Sequence, residues 1–123
     1  MFDKLKAMGA VAGLMKDKDR LRAVTTRIQD TAESLRCEGV GGGGAVRATV
    51  NGKLRVLAID LQPALVSGMA ADERTRQLAG GVIAEAVNAA LALAQARMKD
   101  ILSREAKDLG LPDLPGDLTG LLQ

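Results

Sequence analysis

Leu14, Leu21, Ile28 and Leu35 recur every seven residues, with Val24 and Thr31 at the companion position. Such a repeat lays one apolar seam along a helix, predicted here over Leu14–Leu35 and roughly 30 Å long at 1.5 Å per residue. Asp17 falls on the companion position and weakens the seam towards its start. Gly39 and Gly41 to Gly44 then end any helix, because glycine costs about 1 kcal/mol relative to alanine in a helix interior.

Beyond the glycines the period drops to two, which points to strands. Val46, Ala48 and Val50 fall on one face of Ala45–Val50, and Leu54–Ile59 returns as a second strand. Asn51-Gly52 between them predicts a two-residue hairpin turn, since both residue types tolerate positive φ. A short strand over Arg36–Val40 would make the antiparallel sheet two or three strands. So small a sheet is marginal alone and needs a helix across one face. Asp60 at the strand end suggests backbone capping, Pro63 suits the first turn of a short helical piece, and Gly68–Ala71 reads as a loop. Asp72 is then a good N-cap for a second long helix, Glu73 to Leu109, with Ala84, Val87, Leu91, Ala94, Met98 and Ile101 along one stripe. Gly80 and Gly81 inside it suggest a bend or a close backbone approach where the helix crosses the sheet. Gly110 and Pro112 stop the helix. The expected organisation is α+β: long helix, small antiparallel sheet, long helix, in a single domain over 1–110 with a flexible C-terminal tail over 111–123.

Composition sharpens this picture. Apolar residues make up 47% of the 123, yet there is one Phe and neither Trp nor Tyr. A core without large aromatics is built from thin Ala, Leu and Val seams and is often completed by a second copy, so an oligomer is expected. The lone Cys37 allows no internal disulfide and suits a reducing compartment, where a half-buried structural thiol is the default. The absence of histidine removes His-based catalytic triads and the commonest metal ligand. Met1–Met15 only superficially imitates a signal peptide, because glycines interrupt it and Lys16–Arg20 follow directly. No apolar run reaches the roughly 18–20 residues that span a bilayer. A cytoplasmic protein without a membrane segment is expected.

The net charge is only +2, but residues 1–36 carry eight basic and five acidic side chains. A basic first helix can meet an acidic partner such as a nucleic acid. Mixed charge on a helix is more often a solvated face, and Asp17–Arg20, Asp19–Arg22, Arg27–Asp30 and Asp100–Arg104 are spaced for local ion pairs. With Phe2 as the only aromatic, base stacking on single strands is disfavoured and duplex DNA is the better nucleic-acid partner. The glycine run lacks a following Gly-Lys-Ser/Thr and leads into a strand, so it is no phosphate loop. Asn88 on the apolar helix reads as a satisfied polar group at a helix or dimer contact. No plausible catalytic set emerges, and neither an enzyme nor a small-molecule substrate, cofactor or metal is expected.

The chain resembles the YbaB/EbfC family of bacterial nucleoid-associated proteins. The resemblance rests on Gly13–Lys16 (GLMK), Gly42–Gly52 (GGGAVRATVNG), Leu57–Asp60 (LAID), Val87–Leu91 (VNAAL) and a tail rich in Leu, Gly and Pro. It departs where Ile59-Asp60-Leu61 replaces Ile-Asp-Pro, where the segment around Gly68–Ala71 is longer, and where Gly80-Gly81 replaces bulkier residues. The resemblance implies a tweezer-like homodimer whose sheets join at the centre and whose helices project as arms. It also implies binding to duplex DNA in the nucleoid, largely without sequence preference. The implied contacts are Lys16, Lys18, Arg20, Arg22 and Arg27 on the first helix and Arg97, Lys99, Arg104 and Lys107 on the second. The competing reading is a coiled-coil-like dimeric adaptor that grips another protein.

Overall fold

The computed structural model describes the backbone of residues 2–109 and the side chains of residues 18–109. The expected tail, with the stop at Gly110 and Pro112, lies outside the described residues. The chain runs through α1 (Phe2–Ser34), β1 (Cys37–Gly41), β2 (Val46–Val50), β3 (Val56–Leu61), α2 (Pro63–Ala71) and α3 (Glu73–Asp108). The three strands form one antiparallel sheet in the order β1-β2-β3. The α+β class and the third strand are as the periodicity predicts, while α1 extends a dozen residues before Leu14.

Cys37, Gly39 and Gly41 of β1 and Val46, Ala48 and Val50 of β2 share the buried face. Across it lies α3, presenting Ala86, Ala90 and Ala94, all fully buried. Cys37 is buried rather than half-buried, packed in this core. The core is a meeting of small side chains on both sides, which lets backbone approach backbone. A β-carbon on Gly39 would overlap the Ala86 carbonyl oxygen and the Ala90 amide nitrogen, and one on Gly41 would overlap the Val82 carbonyl oxygen. The close approach expected at Gly80 and Gly81 is therefore on the strand instead. Both helix glycines have open space around them and α3 runs unbroken past them. By length and composition α3 could cross a membrane, with an 18-residue window of mean hydropathy 1.4, contrary to the reading of the sequence. Part of that apolar character is its sheet-facing alanine side.

The turns correct the prediction in three places. Gly42–Gly44 form a tight left-handed turn between β1 and β2 with all three φ angles positive, at 61°, 68° and 107°. The β2–β3 connection is a five-residue loop, Asn51–Arg55, in which Leu54 rather than Gly52 takes positive φ. Asn51 is buried, and its Oδ1 accepts from the Lys53 and Arg55 amides at 3.0 and 3.1 Å, organising the loop from inside. Gly52 serves packing instead: its amide donates to the Ala32 carbonyl at 2.8 Å, and a β-carbon there would strike Met98 Sδ. Gly68–Ala71 is helical, not a loop, because the alanine-rich end of α2 continues until Asp72 adopts an extended backbone. Asp72 then caps α3, its side chain accepting from the Arg74 amide at 3.0 Å. Asp60 lies inside β3, and Gln62, not Asp60, precedes the following helix.

Candidate nucleic-acid interface

Among the described side chains of α1, packing is concentrated at its C-terminal end. Ala32 is fully buried beside Gly52 and Met98, and Val24, Ile28, Thr31 and Leu35 are half-buried. Towards the start of the helix the seam is uncovered, with Leu21 49% exposed. The two helical seams meet here running antiparallel: Ala32 sits by Met98, and five residues earlier Arg27 meets Glu105. At 33 residues α1 is roughly 50 Å long, and its described residues 18–23, beyond this contact, are exposed along an arm.

Lys18, Arg20 and Arg22 stand exposed on that arm. The Lys16 side chain lies outside the described residues. Of the local ion pairs expected from spacing, Asp19–Arg22, Arg27–Asp30 and Asp100–Arg104 do not form, and Asp17–Arg20 lies outside the described residues; the bridges among the described residues are Arg27–Glu105, Arg47–Glu38 and Lys53–Glu33. The nearby Thr25 and Thr26 hydroxyls donate back to the Leu21 and Arg22 carbonyls at 2.7 and 3.0 Å.

Arg27 differs from them. Its Nε and Nη2 donate to Glu105 Oε1 and Oε2 at 3.0 and 2.5 Å, a two-pronged bond joining α1 to α3. Those hydrogen bonds first, and then the Glu105 charge, raise the Arg27 pKa above its usual value; desolvation opposes them, and the Asp108 charge adds the least. Sequence spacing placed Asp30 as the partner of Arg27. Nothing in the sequence pairs positions 78 residues apart.

On α3, Arg97, Lys99, Arg104 and Lys107 are all exposed. Arg97 and Arg104, a heptad apart, border a shallow cavity of about 300 Å³ where α3 meets the end of α1, lined also by Leu35, Asp100 and Ile101. Arg36 at the same corner was absent from the predicted contacts. Its Nη1 is held by the Glu33 and Leu35 carbonyls at 2.8 and 3.0 Å. Among the described residues no cluster of three or more Cys, Asp or Glu could hold a metal ion. Asn88 is exposed.

Comparison with known proteins places the chain in a family. The model of the YbaB/EbfC DNA-binding family matches residues 8–109. A nucleoid-associated protein of Bordetella avium is 32% identical over 108 residues, covering 88% of this chain and 93% of its own length. One from Nitrobacter hamburgensis is 30% identical over 85% of this chain and 94% of its own. A third, from Pseudomonas fluorescens, is 26% identical over 85% and 91%. With a family match across nearly the whole helix–sheet–helix unit, the chain belongs to the YbaB/EbfC family of nucleoid-associated DNA-binding proteins.

Proposed function

We propose that the protein coats duplex DNA in the cytoplasmic nucleoid as a homodimer, gripping phosphates with the cations of its helical arms and catalysing no reaction. The observation that carries this reading is the row of exposed cations Lys18, Arg20 and Arg22 on a long helix, none of them in an ion pair among the described residues. Each cation that meets a phosphate releases condensed counterions, so affinity comes without base readout and falls steeply with salt. Lys16 extends the row by sequence. Arg97, Lys99, Arg104 and Lys107 supply a second row on α3. A gel shift on random-sequence duplex at low and moderate salt tests this. Binding that fades with salt supports it, whereas a clean dimer with no shift at low salt favours the protein adaptor.

The dimer half of the proposal draws on β3. As one of the sheet's two edge strands, it leaves Val56, Leu57 and Ile59 exposed at 45%, 45% and 42%. Contiguous apolar side chains on an open edge invite a second strand. A partner's β3 pairing there would extend the sheet through a central twofold and point both pairs of arms outward. Ile59→Lys is expected to move the protein from dimer to monomer in sizing experiments while leaving its helical circular dichroism intact, because Ile59 is already exposed in the single chain. A lysine variant that remained dimeric would place the interface elsewhere.

A further inference from the structure

We infer that Glu105 is a positioning residue for DNA: its carboxylate holds Arg27 so that the remaining edge of the guanidinium is presented to a backbone phosphate. The inference rests on the DNA-binding reading above. A guanidinium carries five donors in a rigid fork, and Glu105 engages Nε and Nη2 only. Nη1 has no hydrogen-bond partner among the described residues, and the Arg27 side chain is 58% exposed. An arginine already anchored on one edge has lost its rotamer freedom before the phosphate arrives, so less entropy is lost on binding. Glu105 is turned inward, its side chain 18% exposed, and Arg27 neutralises it. It therefore opposes the polyanion little.

The same bond is the outermost polar tie between the two helices among the described residues. Beyond it towards the start of α1, residues 18–26 are exposed except for half-buried Val24. Bulk electrostatics and positioning predict opposite signs. Deleting a carboxylate from a phosphate-gripping arm raises affinity if only net charge matters. It lowers affinity if the carboxylate holds a contact in place.

The test is DNA affinity over a salt series on the full chain, with Glu105→Ala, Glu105→Gln, Arg27→Ala and the swap Arg27→Glu with Glu105→Arg. Hydrogen exchange of residues 18–31 is followed alongside as a readout independent of DNA. Glu105→Ala is expected to weaken binding roughly five- to tenfold, and Glu105→Gln less. The salt slope is expected to fall towards that of Arg27→Ala, by about one per contact. The swap is expected to restore exchange protection without restoring affinity, because the arginine now sits on the wrong helix. Unchanged or tighter binding by Glu105→Ala, or full recovery of affinity in the swap, overturns the inference. Wild-type protein that shifts no DNA at low salt overturns the parent reading and this one with it. Normal wild-type binding beside an indifferent Glu105→Ala overturns this one alone.

Discussion

Gly39→Ala is expected to destabilise the protein by about 3 kcal/mol, lowering its melting temperature by roughly 10–20 °C. One methyl group has this effect because of what it meets. Side chains yield to an extra carbon by changing rotamer, but the atoms facing Gly39 are the Ala86 carbonyl oxygen and the Ala90 amide nitrogen, part of the α3 hydrogen-bond ladder. Relief requires the helix to lift from the sheet, which uncovers Ala48, Ala90 and Cys37 together. The internal control is the same substitution at Gly80 and Gly81, which face open space. There alanine is expected to stabilise by about 0.5–1 kcal/mol each, through helix propensity. Thermal melts of the three variants check this. A Gly39→Ala protein melting with the wild type would show that β1 and α3 do not touch as described.

Arg20→Glu combined with Arg22→Glu is expected to reduce affinity for random-sequence duplex by at least about a hundredfold at moderate salt. In a dimer the double substitution reverses four charges. If each arginine meets one phosphate, the log–log salt slope shrinks by about four. Both side chains are exposed and neither forms an ion pair among the described residues. Melting temperature and dimer state are therefore expected to stay near wild type. Binding measured across a salt series, beside a sizing profile, separates the outcomes: unfolding would make these residues structural, and unchanged binding would move the interface off α1.

Elements were legible in the sequence where one local rule governs them. The period-two face of Val46, Ala48 and Val50 and the cap at Asp72 depend on neighbours a few residues away, and both stand in the structure as expected. What local rules could not supply were choices made by distant partners. Asn51-Gly52 favours a tight hairpin by residue type, yet Gly52 is claimed by Ala32 and Met98, and the loop lengthens to put Leu54 at positive φ instead. The two glycines inside α3 invited a close approach, but a glycine shows only that a side chain is absent. Which glycine faces a neighbouring backbone is settled by how β1 and α3 cross. The arm cations were legible as charges. That Arg27 is tied to Glu105 of the other long helix required the fold.

α3 is a single rod of 36 residues whose middle, from Val82 to Ala94, rests on the sheet and whose end carries Met98, Glu105 and the contact with α1. Structural integrity and grip are thus mounted on one beam, with no joint between them to absorb a fault. A genetic screen for lost DNA binding would accordingly return glycines of β1 beside arginines of the arm. Affinity alone could not sort the two classes. The first would also fail a melt, and the second would not.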